Sequence, residues 1–572
     1  MKSAVLFLFF LVAPALNACG GSPSESSTDS NEAFCETALA RVDSFMATFS
    51  DEGPLGDRYG GTAVVGTFAE SEGMNALVAG DAGSVQHQMF VNLMTLIQYD
   101  ENLMPVPYLA ESWEVSPDET ELTFHLRDDV YWHDGELTTA HDVAFTYRRA
   151  VDPKTGFPNS AFFQHYLPGN DGVEVVDSFT VRFRMRRHAD YMDPWRAVAI
   201  MPRHLLAEVP PEELQLHPFG AVCPVGNGPF RFVSHIPQDR WVFEANPAFP
   251  AGLGGRPYLD RYVNRVIADQ TTLLQELLTG GIDVYVAMVP QHAEVARGDP
   301  GLRVESFQYR SFLFVAWNSR VPKLADPRVR RALTLGTDRR RIMEGIRGSD
   351  GILANTGVPP FHFAFDPQLS DSLGYNPDEA MALLEEAGWT DGDGDGVREN
   401  SEGEPLQITL LTTTENQEWQ DIAVIMQAHL GRIGVDLRPR TMEFQALIDV
   451  IMSRDRDFEA FLLSFEVEFR LEERDLFHSD AFDGPLAFSG TRDEELDRYL
   501  DTLQLSPDRS KSTPLWHAYQ QRIMEVQPFT FFYWAYRLDG VNGRLRDATM
   551  DARGEWANIR NWWIDPDHRG AG

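Results

Sequence analysis

Hydrophobic and polar residues alternate with period two at Trp113 and Val115 and again at Leu122, Phe124 and Leu126. The alternation predicts two short half-buried strands. Ser116-Pro117-Asp118-Glu119 between them carries turn chemistry, because proline presets φ and an aspartate can cap the turn. His133-Asp134-Gly135 predicts a second turn, and Thr139 then reads as a helix N-cap with Asp142 three residues on. The helical spacing of Phe34, Leu39, Val42, Phe45 and Phe49 predicts a helix over 31–49, broken by Asp51-Glu52-Gly53-Pro54. A strand is expected over 60–67, a loop over 68–75, and a helix from there to about Leu96. A further helix, with Ala380, Leu383, Leu384 and Ala387 on one face, is expected between Asn376 and Gly388. Two apolar runs, Tyr309–Trp317 and Pro528–Tyr536, read as buried strands.

Composition narrows the class. The chain has 572 residues, enough for two lobes, and a formal net charge of −37, which argues against nucleic-acid binding by repulsion from the phosphates. Ala4–Leu16 is an apolar run too short to span a bilayer, and it ends in Leu16-Asn17-Ala18-Cys19, the form of a bacterial lipobox. Residues 1–18 are therefore expected to be a lipoprotein signal peptide, with lipidation at Cys19; an ordinary secretory signal is the alternative. Residues 19–57 would be a Gly/Ser/Asp-rich tether and an N-terminal helix. No later stretch approaches eighteen apolar residues, so membrane attachment would be by the lipid anchor only.

With Cys19 assigned to lipid, Cys35 and Cys223 remain as an even pair that could form a disulfide in an oxidising compartment. No CxxC, HExxH, GxSxG or GxxxxGK[ST] occurs. The sharpest local motif is DGDGDGVRENSE, residues 391–402, which satisfies D-x-D-x-D-G-x5-E. Asp391, Asp393, Asp395, the Val397 carbonyl and Glu402 would be the ligands of a structural Ca²⁺, with Gly396 permitting the sharp turn. The flanks differ from an EF-hand, since Glu404-Pro405 leads into an apolar strand-like run, and a solvated acidic turn is the other reading.

Read as one string, LAESWEVSPDETELTFHLRDDVYWHDGELTTAHDVAFTYRRA (109–150) resembles the signature of extracytoplasmic solute-binding proteins of the peptide/nickel class, family 5. Pro224–Phe232, Phe312–Ser319, Asp326–Leu333, Gly374–Trp389 and Phe488–Leu500 resemble further passages of that family in the same order. The resemblance implies an α/β, two-lobe periplasmic-binding-protein-like fold, with an extra subdomain in lobe one and a cleft between the lobes. Lobe one would cover 58–308, with the subdomain at about 100–225, and return over 530–572; lobe two would cover 309–529.

By position in the family pattern, Glu70, Met74, Asn75, Trp317, Asn318, Thr413, Glu415 and Phe465 become ligand-site candidates. In peptide binders of the family an Asp in a DYxDP passage pairs with the ligand's amino group. Here the passage reads LSFEVEFRLEERD (463–475), with no DYxDP. Glu466 or Glu468 would take the amine role, and Arg470 would meet a carboxylate as a fork; ion pairs on a charged loop would look the same. The implied function is that of a non-enzymatic, monomeric capture subunit of an ABC importer. It would require no cofactor, sit in the periplasm or at the cell surface, and deliver a peptide or similar small solute to its permease. A sensory or surface-interaction lipoprotein reusing the fold is the alternative, and a carboxylate hydrolase a distant third.

Overall fold

A computed structural model of the chain describes residues 25–49, 56–370 and 372–569, with the side chains of 25–30 left aside. The expected signal segment 1–18 and Cys19 lie outside the described residues. The chain divides into two compact units: residues up to Arg187, Tyr191–Phe307 and Arg537 onward in the first, His188–Asp190 and Gln308–Tyr536 in the second.

The first unit is built on β1 (Thr62–Thr67), the strand expected at 60–67. Its inserted subdomain carries β2 (Ala110–Val115), β3 (Glu121–Leu126), β4 (Val173–Asp177) and β5 (Thr180–Arg184) in an antiparallel sheet ordered β2-β3-β5-β4. Leu122, Phe124 and Leu126 all point inward, as their alternation predicts, and the Ser116–Glu119 turn closes through the Glu119 N–H donating to the Ser116 carbonyl (2.9 Å). Thr139 and Asp142 form a reciprocal capping box that starts the helix Ala140–Val151. That helix presents Tyr147 to Phe183 and Trp195, whose rings lie 4.2 Å apart and which pack with Phe124. Each such buried aromatic contributes about 1.5–3 kcal/mol of apolar burial.

After the subdomain come β6 (Phe230–Ile236), β7 (Arg240–Ala245), β8 (Arg261–Val266) and β9 (Val284–Tyr285). β1 pairs in parallel with both β8 and β9, and β6 and β7 complete the edge antiparallel. The helix expected to run to Leu96 is shorter: it covers Ala82–His87, widens over Gln88–Asn92, and stops. Asn92 is drawn away because its carbonyl accepts the Gly228 N–H (2.9 Å) and its amide donates to Phe230. The N-terminal helix spans Glu25–Met46, buries Ala38 and Val42, and is joined to the body by a Cys35–Cys223 disulfide with Cα atoms 5.4 Å apart.

β10 (Leu302–Trp317) carries the chain out of the first unit. The second unit holds β11 (Gln407–Thr413), β12 (Asp436–Met442) and β13 (Ala460–Glu466), ordered β12-β11-β13-β10, and β14 (Phe529–Asn542) lies next to β10 and carries the chain back. β11 lies between parallel partners, and Ile408 and residues 410–413 are buried in it. Residues 312–317 of β10 are all buried, and Trp317 sits with Val329, Leu333, Ile408 and Leu462 in this unit's core. The helix Pro377–Glu386 is capped by Asn376, as expected. The crossovers fall at 307/308 and 536/537, where the expected limits were 308 and 529. In the first unit the end of β14 pairs with β9 through Gly540 and Val541.

Candidate functional site

A group of charged and aromatic side chains in the second unit forms where β10 meets β13. The antiparallel register places Ser311 opposite Glu466 and Phe312 opposite Phe465, and the Val467 N–H extends the ladder to the Arg310 carbonyl (2.8 Å). This geometry gathers Tyr309, Arg310, Glu466 and Glu468 around one point. The Arg310 guanidinium lies 2.9 Å from Glu466 and 3.5 Å from Glu468, and the Tyr309 hydroxyl donates to Glu466 (3.2 Å). The Phe469 ring covers the guanidinium at 4.8 Å, a cation–π contact of about 0.5–1 kcal/mol. Burial opposes the Arg310 charge, but Glu466, Tyr309 and Glu468 more than restore it and hold its pKa above the ordinary value. The Glu468 side chain is 36% exposed against 12% for Glu466, so Glu466 is the committed partner of Arg310 and Glu468 the accessible one.

Phe465 lies against Phe312 at a tilt (5.9 Å) beside this group, and Arg470 lies 3.8 Å from Glu472. Behind them Glu473 is buried and accepts a hydrogen bond from the Tyr519 hydroxyl. Burial raises its carboxyl to about 7; the Tyr519 bond pulls the other way and Glu472 adds to the rise. A Cβ at Gly357 would meet the Glu473 carboxylate, which would have to move to admit it.

The remaining expected ligand residues make the following contacts within the chain. Met74 is fully buried, and Asn75 caps its own turn, its Oδ1 accepting the Leu77 N–H (3.1 Å) and its amide donating to Leu214 (3.3 Å). Glu70 accepts from His235 (2.7 Å) and from the Gln238 N–H (3.1 Å), which makes it a brace for its own loop. Trp317 is core and donates to Thr530 (2.9 Å); the Asn318 amide donates to Phe458 (2.8 Å). Thr413 is buried and accepts the Glu415 N–H (3.2 Å), while Glu415 is exposed and accepts the Phe444 N–H (3.1 Å). Strand alternation and local capping turn most of their polar atoms inward.

In the acidic loop, one carboxylate oxygen each from Asp391, Asp393, Asp395 and Glu399 lies within 4.8 Å of the others. Glu399, not the expected Glu402, supplies the fourth. Glu399 bridges both Thr390 and Pro405, so the chain folds back as a hairpin and closes the loop early. An EF-hand needs a following helix to bring its twelfth residue back; here strand pairing leaves Glu402 in a turn, its N–H donating to Asn400 (3.0 Å). Val397 donates its N–H to Asp395 (2.8 Å), and Gly396 has φ of 92°, a left-handed value glycine adopts at little cost.

Sequence reasoning missed Arg310, Tyr309, Glu473 and Tyr519. The signal for Arg310 was present, as a lone charge beside a strand that is otherwise apolar from Phe312 onward. Glu473 was masked by the charges crowded around it over 466–475.

Residues 104–467 match the family described as bacterial extracellular solute-binding proteins, family 5 Middle. The oligopeptide-binding protein AppA of Bacillus subtilis is 26% identical over 569 residues, covering 98% of this chain and 99% of that protein. Its structure in complex with a nonapeptide superposes with a TM-score of 0.72, covering 89% of this chain and all of the other. Di/tripeptide-binding protein 2 of Pseudomonas aeruginosa is 28% identical over 374 residues, covering 62% of this chain and 66% of that protein. Heme-binding protein A of Haemophilus influenzae is 27% identical over 362 residues, covering 59% and 62%. Among the described residues no helix is long and apolar enough to cross a membrane. Through its middle and along nearly its whole length, therefore, the chain is a member of the bacterial extracellular solute-binding proteins of family 5.

Proposed function

We propose that this protein is the solute-binding subunit of an ABC importer, capturing peptides outside the cytoplasmic membrane and delivering them to its permease. The observation that carries the reading is the end-to-end match to a protein named for oligopeptide binding and solved with a nonapeptide. In this reading the protein does no chemistry of its own. Glu468 meets the peptide's ammonium, because it is the more exposed of the two carboxylates on Arg310, while Arg310 holds Glu466 at the shorter distance. The chain acts as a monomer held to the membrane by lipid on Cys19, and the loop 391–399 takes Ca²⁺ as a structural ion. Native mass spectrometry of a lipid-free form beginning at Gly20, before and after mild unfolding, tests the solute class. A ladder of released masses fitting short peptides supports the proposal; a single non-peptide mass overturns the peptide assignment and leaves a dedicated importer of another solute.

A further inference from the structure

Both ring nitrogens of one histidine in the first unit face acceptors. His235 stands on β6 with its side chain 10% exposed. Its Nδ1 lies 2.9 Å from the Ala221 carbonyl, and its Nε2 lies 2.7 Å from Glu70 Oε1. A carbonyl and a carboxylate have no hydrogen to give, so each contact is a hydrogen bond only if the ring nitrogen donates. Neutral imidazole has a single N–H, and its other nitrogen would turn a lone pair on an acceptor; the imidazolium donates twice.

The surroundings suit that cation. Glu70 Oε1 also accepts the Gln238 N–H (3.1 Å) and Oε2 accepts from the Gln238 amide, and three donors on two oxygens match a carboxylate better than a carboxylic acid. On β7 the Trp241 ring lies nearly parallel to the imidazole, with centroids 3.8 Å apart at 14°, and presents the face that attracts a cation. Among the described residues Glu70 is the one carboxylate within 4 Å of the ring. Elsewhere on its loop, Glu72 answers to the charge of Asp81. In the turn between β6 and β7, Asp239 and Arg240 lie 3.8 Å from one another. The segment 219–223 brings no ionisable side chain, since Cys223 is in the disulfide.

We infer that His235 is a proton-operated latch. As the imidazolium it ties the loop after β1 and the loop 217–223 to β6 at once. When the ring gives one proton to solvent, the other stays on Nε2, because a hydrogen bond to a carboxylate is stronger than one to a neutral carbonyl. Nδ1 then turns a lone pair on the Ala221 carbonyl, and that tie is released. The adjoining Gly220 carbonyl accepts the Met74 N–H (2.7 Å), so the release reaches the segment carrying Met74 and Asn75. The tie is complete while the ring holds both protons and is lost as pH rises through the ring's own titration.

The test follows ring and loops together in the full chain from pH 5 to 9, by histidine-selective nitrogen-15 labelling and backbone hydrogen exchange. At the acid end both His235 nitrogens should carry hydrogen. As pH rises the ring should keep only its Nε2 proton. At the same midpoint the protection factors at 220–223 and at Met74 should fall about fivefold, the scale of one hydrogen bond. His235→Gln, which cannot donate to both acceptors, should lack that step. If it does not fold, Glu70→Gln, which removes the carboxylate, should move the ring titration and the loop step together to lower pH by about one unit. A last proton on Nδ1, protection that does not follow the ring, or the same step in folded His235→Gln overturns the inference. So does an unmoved titration in Glu70→Gln.

Discussion

The disulfide between Cys35 and Cys223 fastens the N-terminal helix to a loop whose Gly220 carbonyl accepts the Met74 N–H (2.7 Å) and whose Ala221 carbonyl meets His235 (2.9 Å). His235 in turn holds Glu70, so a helix with no part in the main sheet braces the loop that follows β1. Arg41 of the same helix adds ion pairs to Asp134 (3.3 Å) and Glu136 (3.0 Å).

Removing this clasp has a defined cost. A Cys35→Ser/Cys223→Ser variant should lose about 2–4 kcal/mol of stability in urea denaturation, because the bond constrains the unfolded chain. Hydrogen exchange should rise over 31–49 and 217–223, and by the Gly220–Met74 contact over 70–75. Unchanged exchange at 70–75 would limit the clasp to stability alone.

The two glutamates beside Arg310 should separate by role. Glu468→Gln should weaken a peptide with a free amino terminus by about tenfold or more, on the scale of a charged hydrogen bond of about 1.5–3 kcal/mol, with little change in melting temperature. An N-acetylated peptide should lose much less. Glu466→Gln should lower the melting temperature instead, since it removes the closer partner of a half-buried guanidinium. Calorimetric titration and thermal melting read both. Equal losses for the free and acetylated peptides would exclude Glu468 as the amine contact.

The acidic loop should answer to calcium through its ninth position. Adding Ca²⁺ at a hundred times its dissociation constant should stabilise the protein by about 2.7 kcal/mol. Glu399→Gln should reduce that response and Glu402→Gln should leave it, because only Glu399 converges with Asp391, Asp393 and Asp395. No calcium-dependent shift in the wild type would make the loop a solvated turn.

Glu473 should make the second unit sensitive to pH. Its folded pKa of about 7 lies above the ordinary value near 4.5, so its stabilisation is full below about pH 4.5 and is lost as pH rises through about 7. Glu473→Gln, which keeps an acceptor for Tyr519, should flatten the fall in melting temperature between pH 5 and 7.5. A fall as steep as in the wild type would show that other groups carry it.

Much of the fold was legible in the chain itself. The alternation at Leu122, Phe124 and Leu126, the Thr139–Asp142 box, the Asn376 cap and the unbroken apolar run to Trp317 are local signals, each set by neighbours within a few residues. They sufficed for element type, for the order of passages and for the family. What they could not contain is which polar atoms are already spent. Asn75, Asn318 and Thr413 carry the right groups for a ligand, yet their partners Leu214 and Phe458 and their local turns use them, and distant partners leave no trace in local periodicity. Glu399 replaced Glu402 because a strand, not a helix, follows the loop. Arg310 gained its role only when a segment more than a hundred residues away closed around it. Sequence determined the strands, caps and turns because these are short-range physics; tertiary structure decided the charges, because Coulomb and desolvation terms depend on distance in space and on the exclusion of water.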